Sequence, residues 1–427
     1  MPSCNNNKCD SLWLKLVAVI FLSAMGMSQA FALPAFARQT GDSCDACHVG
    51  AYGPQLTTHG MKFKLSGYTD SDGNSGHLPL SGMLIENYTH TSKDQNPVPA
   101  DGYSANNNSA LQELSGFLAG KLTDHVGSFM QVTYSGIEKK TALDNTEFRF
   151  ASDGKLLGEG AVYGILVNNN PTMQDLFNTL PAWGFPFTSS DLAPGPDSTT
   201  IINDGIAGTV YGVSAYTLMK NGIYAELGDY KTFSRGFLEN VNVIAADDSL
   251  GQTIGLAPYW RFAYFKDLHK QAYSAGLVGM SAKLRVEGTP GPDSKVSDIG
   301  VDGHYQYLGT RRHIFSVDGM YIDENNKTSG FDKTKLHQFN LAGSYYYDKS
   351  YGVTAKLFDT TGSEVTDNSK GMTLQGDWTP FGKENSPYAP YANLRLGLQY
   401  TSYNELNGDT SNASDSNSIM LFVWLAG

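Results

Sequence analysis

The sequence predicts an all-β protein, in which a transmembrane β-barrel of about sixteen antiparallel strands follows a small N-terminal module. From Ser81 onward, segments of about ten residues alternate apolar and polar side chains. Short and long connections alternate between these segments, which is typical of an up-and-down barrel. Beyond the N-terminal segment, the sequence has no apolar stretch of the roughly eighteen residues that a membrane-spanning helix needs.

Residues 1–32 have the features of an export signal. Lys8 and Lys15 accompany the apolar run LVAVIFLSAMGM, and the small residues Ala30 and Ala32 follow it. We expect cleavage after residue 32; a single membrane anchor is the alternative. The loss of two lysines and Asp10 then changes the net charge from −12 to −13. So acidic a chain is not expected to bind nucleic acid.

The cysteines are the most informative residues. Cys4 and Cys9 leave with the signal, and the remaining pair, Cys44 and Cys47, is too few for a disulfide scaffold. Residues 44–48 read C-D-A-C-H, the attachment signature of c-type haem. Two thiols one helical turn apart can reach the two vinyl groups, and His48 then becomes the proximal iron ligand. A zinc half-site would need a second cysteine pair, and a thioredoxin-like redox pair would need a βαβ context. We therefore predict one covalent haem c.

The second axial ligand is open to several residues. His59 lies eleven residues after His48, far enough for the chain to turn over the haem, and it is the ligand we expect. Met61 is the thioether alternative, which would raise the reduction potential. His77 or a lumen-facing barrel residue are further alternatives.

The segment around this motif resembles the N-terminal cytochrome of the fused monohaem cytochrome-porin family of iron-oxidising bacteria. The resemblance covers about thirty-five residues, and one departure is Met61, where the family pattern has an arginine. The matching residues are Pro34, Phe36, Ala37, Arg38, Gln39, Thr40, Gly41, Pro54, Leu56, Gly60, Phe63, Lys64, Gly67 and Tyr68. The resemblance implies an outer-membrane location and ferrous iron as the extracellular electron donor.

These observations divide the chain into a signal peptide at 1–32, a monohaem c-type cytochrome module at 33–78 and a porin-like outer-membrane barrel at 79–427. About forty-five residues cannot enclose a large apolar core alone, so the porphyrin would supply the core of the module.

Strand signals in the barrel are centred near sixteen positions, which are residues 85, 116, 131, 148, 164, 211, 225, 261, 278, 302, 317, 342, 356, 374, 396 and 421. In ANLRLGLQY, the side chains of Leu394, Leu396 and Leu398 share one face, and we expect that face to contact lipid. Trp260, Trp378 and Trp424 lie near strand ends and would suit interfacial aromatic girdles. The expected tight turns are 123–125, 220–222, 267–270, 308–311 and 348–350, whereas links 152–159 and 379–389 are longer than a tight turn. The expected long loops are 91–109, 169–204, 231–254, 287–296, 323–335, 360–369 and 403–416.

The stretch 168–186 is too apolar for a solvated loop. We expect it to fold into the barrel and pack on the haem module near the external mouth, with Trp183 and Phe185 as anchors. A self-packed external loop is the alternative.

Three functions compete. In the first, the haem relays electrons from an extracellular donor to a periplasmic c-type cytochrome or another acceptor, across an apolar band that charge does not otherwise cross. This is the function we expect, with possible ferrous-iron oxidase activity. The others are a diffusion porin with a haem plug and a haem enzyme such as a peroxidase.

Overall fold

The computed structural model of the protein describes residues 35–74, 76–178, 180–287 and 291–427. The predicted signal peptide lies outside the described residues. Strands β1 to β17 are Leu80–Thr91, Asn108–Lys121, Val126–Ser135, Lys140–Leu156, Glu159–Asn168, Val210–Met219, Ile223–Thr232, Gly251–Thr253, Ala257–Asp267, Gln271–Val286, Ser294–Tyr307, His313–Thr328, Thr334–Tyr347, Tyr351–Gly362, Ser369–Trp378, Asn393–Glu405 and Ser418–Ala426. Helices α1 to α4 are Ala35–Thr40, Cys44–Cys47, Thr58–Leu65 and Arg235–Asn240. Shorter helical turns are Val49–Ala51, Pro181–Trp183, Ile201–Gly205, Val365–Asp367 and Ala413–Ser416.

The strands form one closed antiparallel barrel. Apart from β8, each strand pairs with the next long strand in the sequence, and β1 also pairs with β17, so the described strands leave no free edge. The short β8 and the longer β9 both pair with β10, at opposite ends of it, so together they make one interrupted strand. The seventeen segments therefore form sixteen rows. All sixteen positions expected from the sequence fall inside strands.

The side chains of the barrel alternate between a polar interior and an apolar exterior. On β16, Leu398 is exposed outward, whereas Arg395 and Gln399 are buried inside. On β13, Phe339 and Leu341 likewise face outward. So large an apolar exterior belongs in lipid, because few soluble proteins expose such a surface to water. The chain is therefore an outer-membrane β-barrel. None of the described helices is long and apolar enough to cross a bilayer.

The connections confirm the alternation of short and long links. The link expected at 152–159 is tight after all, because β4 and β5 extend until only Leu157 and Gly158 separate them. Both residues have positive φ, which is the geometry of a two-residue hairpin turn. Strand β11 also extends into the loop expected at 287–296, and strands β12 and β13 extend into the loop expected at 323–335. We call the end with the tight turns the turn end; it faces the periplasm in barrels of this type.

The N-terminal segment lies inside the barrel, at the turn end. Helix α3 contacts the inner wall, where the Tyr216 hydroxyl donates to the Leu65 carbonyl over 2.5 Å. The Tyr68 hydroxyl donates to Glu147 on β4 over 3.0 Å. Gln55 donates to Ser316 and Asp318 on β12, over 2.9 and 2.8 Å. From here on, we keep the name module for residues 35–68, the described helical part of the predicted 33–78 segment. The module occupies the lumen rather than extending from the barrel.

Candidate functional site

Helix α2, which carries both cysteines, is anchored to the turns of the barrel. Asp45, buried in the middle of the helix, forms an ion pair with Lys349 over 2.5 Å. Its carbonyl accepts a hydrogen bond from Arg311 over 2.7 Å, and its N–H donates to the Gly382 carbonyl over 3.2 Å. Link 379–392, longer than the other turns, thus supports the module. Three turns far apart in the sequence fix the position of the cysteines.

Helices α2 and α3 pack closely behind the cysteines. Thr57 caps α3 by accepting from the Gly60 N–H over 3.3 Å, and its own N–H donates to the Cys47 carbonyl over 2.8 Å. A Cβ atom on Gly60 would lie 2.3 Å from that carbonyl oxygen, so only glycine permits this approach. The Cys-x-x-Cys-His turn and Gly60 therefore belong to one local structure.

Cys44 and Cys47 are free thiols in partly buried positions. Burial raises the pKa of Cys44 to about 11 and that of Cys47 to about 12. Reactive redox cysteines have a lowered pKa, so the environment does not favour a thioredoxin-like pair.

His48 follows α2 and lines a cavity. Burial lowers the pKa of its imidazole to about 4, against a smaller opposite effect of the Gln55 backbone. The ring is therefore neutral near neutral pH, which is the form that can bind iron. Its Nδ1 atom is buried without a hydrogen-bond partner of normal geometry among the described residues.

The cavity beside His48 has a volume of about 430 Å³ and three walls. The module contributes one wall, which includes both cysteines, His48 and Phe63. Strands of the barrel contribute the second, which holds Met83, Ile85, Phe117, Phe129 and Trp424. The loop between β5 and β6 contributes the third, with Trp183 and Phe187. Most of this surface is apolar or aromatic, and the polar residues Glu113, Gln131, Asp144 and Asn145 also line it.

The loop between β5 and β6, residues 169–178 and 180–209, folds into the barrel and packs on the module. The Leu56 N–H donates to the Phe177 carbonyl over 3.1 Å, and Asn178 donates to the Pro54 carbonyl over 3.0 Å. The Trp183 ring meets Phe129 of the barrel edge to face, at 5.4 Å. The expected insertion is confirmed, but the contact with the module lies towards the turn end and not near the external mouth.

Lys64 of α3 joins the module to this inserted loop. Its ammonium group donates to the carbonyls of Met173 and Asp175 over 2.5 and 2.7 Å, and to the Asn178 side chain over 2.6 Å. Burial lowers the pKa of Lys64 to about 7. A cation held by three oxygens ties the loop to the module.

The other histidines and the methionine considered as iron ligands lie away from the cavity. His59 is 55% exposed and its Nε2 is 2.8 Å from the carboxylate of Asp42; it approaches Cys47 but is not part of the cavity wall. Met61 is fully buried among the apolar side chains between α3 and the barrel. His77 pairs with Asp72 over 3.1 Å. The structure thus does not bring His59 and His48 together around the cavity.

The sequence analysis missed the apolar inner wall. Trp424, expected in an outer girdle, points inward and packs on Tyr52 at 5.1 Å. A signal was present, because SIMLFVWLA is apolar on both faces of β17, whereas an ordinary porin strand has a polar inner face. Inward-facing apolar side chains in such a strand indicate an apolar partner inside the lumen.

A second cavity of about 640 Å³ adjoins the first. The two share the lining residues Asn178, Gly184, Pro186 and Phe187. The second is more polar, and its walls include the carboxylates of Asp197, Asp204 and Asp318 and the amine of Lys356.

Comparisons with known proteins give similar barrels. No protein-family model and no curated protein matches the chain. Similar solved structures include the anion-selective porin from Comamonas acidovorans, with 13% identity over 81% of this chain and 98% of that chain and a TM-score of 0.49. Salmonella typhi OmpF in complex with daunomycin has 12% identity over 82% and 97% of the two chains, with a TM-score of 0.45. The outer membrane channel DcaP of Acinetobacter baumannii has 11% identity over 82% and 96%, with a TM-score of 0.45.

Proposed function

We propose that the protein transfers electrons through one covalent haem c held inside an outer-membrane barrel. The observation that carries the proposal is the position of Cys44, Cys47 and His48 in the wall of a mostly apolar cavity, enclosed by the module, the barrel and the inserted loop. Two thiols and an imidazole in this spacing are the donor set of c-type haem.

The residues that line the cavity are suited to bind a haem. Phe63, Phe117 and Phe129 offer the apolar contacts that a porphyrin needs. Two buried donors, the Tyr52 hydroxyl and the Trp424 indole N–H, have no hydrogen-bond partner within the described part of the chain. Haem carries two propionate carboxylates, and these are suitable acceptors for such donors.

Haem supplies a one-electron carrier, and the chain determines what can reach it. A bound haem would accept one electron from an extracellular donor and pass it to a periplasmic cytochrome or another acceptor, and Cys44, Cys47 and His48 would hold it in place. The anchoring of α2 at the turn end brings the cysteines towards the periplasm, where such an acceptor would dock.

Ferrous iron is the donor that the family resemblance implies. The acidic net charge of −12 and the carboxylates of the second cavity favour small cations over anions near the cavity of His48. A diffusion porin is the second candidate, because the two adjoining cavities leave part of the lumen unfilled.

The test is anaerobic addition of ferrous iron to the purified, oxidised protein in detergent. We expect the haem α-band to appear as iron reduces the protein, and denaturing electrophoresis to show covalent haem stain. Cys44→Ala with Cys47→Ala should abolish the stain, whereas Cys44→Ala with a native Cys47 should weaken it. Stain that survives the double substitution would overturn the haem assignment, and a stained protein that ferrous iron does not reduce would exclude iron as the donor.

A further inference from the structure

The cavity wall offers few side chains that can bind iron opposite His48. Within the described residues, it contains one histidine, His48, and one methionine, Met83. His59, Met61 and His77 are all outside it. Because Cys44, Cys47 and His48 line this cavity, the proposed haem would occupy it. Its second axial ligand must therefore come from the cavity wall.

Three other residues of the wall are poorly placed to bind iron opposite His48. Lys64 is held by three oxygens of the inserted loop. The Tyr68 hydroxyl donates to Glu147. Tyr52 follows His48 by four residues and belongs to the same wall as His48. The thioether of Met83, in contrast, belongs to the wall that the barrel contributes.

The surroundings of Met83 suit a fixed ligand. It is 7% exposed and points inward from β1, which pairs on both sides, with Ser115 of β2 and Ala426 of β17. Ligands carried by such rigid elements are held more accurately than ligands carried by loops. Ile85, Phe117 and Trp424 surround it with apolar surface, which excludes water that would compete for the iron.

We propose that Met83, on the first strand of the barrel, is the second axial ligand of the haem attached at Cys44 and Cys47. This inference rests on the proposed function. His48 from the module and Met83 from the barrel would then join the two parts of the chain through the iron. Methionine opposite histidine raises the reduction potential of a c-type haem, which suits a donor as weakly reducing as ferrous iron.

The test is the absorption and magnetic circular dichroism of the purified oxidised protein. We expect a low-spin ferric haem with the far-red charge-transfer band of sulfur bound to iron. Met83→Leu, which nearly preserves volume, should lose this band and become high-spin. Met83→His should stay low-spin with a lower reduction potential.

Two matched variants serve as controls. Met420→Leu changes another inward-facing, buried methionine in the same apolar cluster, on neighbouring β17, but one that does not line the haem cavity. His59→Ala removes the ligand expected from the sequence. Both should keep the sulfur band. The proposal for Met83 would be overturned if the wild type showed the spectrum of two histidine ligands or of high-spin iron, or if the sulfur band persisted in Met83→Leu. These outcomes leave the covalent haem stain unaffected. A protein without stain would instead overturn the proposed function itself.

Discussion

Single residues connect the module, the inserted loop and the barrel. Lys64 is one of the residues that match the cytochrome-porin pattern, but the pattern does not say what it does. In the structure its amine is a buried donor to three oxygens of residues 173–178. Glu147, Asp175 and Glu226 favour its charge, and Arg149 opposes it. Lys64 thus holds the inserted loop on the module. Burial removes its charged amine from water, and this desolvation is unfavourable.

Lys64 should make the stability of the loop contact depend on pH. Its pKa in the folded protein is about 7, below the ordinary value of 10.5. Between these values the unfolded chain binds more protons than the folded one, so stability should rise as the pH rises through this window. Below about pH 7 the amine is charged in both states and its burial is most costly.

The measurement is the temperature at which the protein loses its compact form on heat-modifiability gels, at pH 7 and pH 10. Lys64→Met should remove this part of the pH dependence, because methionine has a similar length and no charge. Lys62→Met, on an exposed side chain of the same helix, is the control. An equal pH dependence in the wild type and in Lys64→Met would show that Lys64 does not titrate in this window.

At the scale of elements, β17 has an apolar inner face, and β1 adds Met83 and Ile85 to the same inner wall. Met420, Phe422 and Trp424 point inward from β17. Strands whose two faces are both apolar are buried on both faces, and here the outer face contacts lipid and the inner face contacts the cavity of the module. These two strands close the barrel, so the proposed haem lies against the closing pair.

Trp424→Ala should therefore destabilise the protein more than loss of an outer tryptophan. Removing a buried tryptophan costs about 3 to 5 kcal/mol, because it leaves a cavity that the surroundings fill only in part. We expect a lower temperature of heat modification and a haem spectrum more sensitive to solvent. Trp378→Ala is the matched control, because Trp378 lies on the outer face of β15 and is 43% exposed. If the two variants behave alike, the inner position of Trp424 has no energetic importance.

At the scale of the whole molecule, the lumen contains the module at the turn end and the inserted loop beside it. The module is held there by charged and polar groups of the inner wall. Arg395, for example, pairs with Asp377 and donates to the Gly53 carbonyl over 3.3 Å. The lumen of this sixteen-row barrel is therefore narrowed by its own chain, which restricts free diffusion through it.

Conductance in planar bilayers separates these two functions. We expect the wild-type protein to conduct ions poorly, because the module and the loop fill much of the lumen. Deletion of residues 171–187, which removes the loop wall of the cavity, should raise the single-channel conductance. Shortening of the external loop 329–333 serves as the control and should leave the conductance unchanged, because its backbone N–H groups donate to Asp293 and Thr328 and not to the inserted loop. A large, stable conductance of the wild type would favour the diffusion porin.

The sequence by itself determined the barrel and showed the C-x-x-C-H motif at residues 44–48. Strand alternation has a period of two residues and each strand shows it locally, as in ANLRLGLQY, so the number of rows and the apolar exterior could be predicted. Residues 44–48 likewise form a motif of adjacent positions in the chain, so Cys44, Cys47 and His48 were recognisable without a structure. Only the tertiary structure decided which side chains line the cavity beside His48. His59 was expected because it is near in sequence, but α3 turns it outward to Asp42. Met83 and Trp424 reach the cavity because closure of the barrel joins β1 to β17 across more than three hundred residues, and local spacing carries no information about such a pairing.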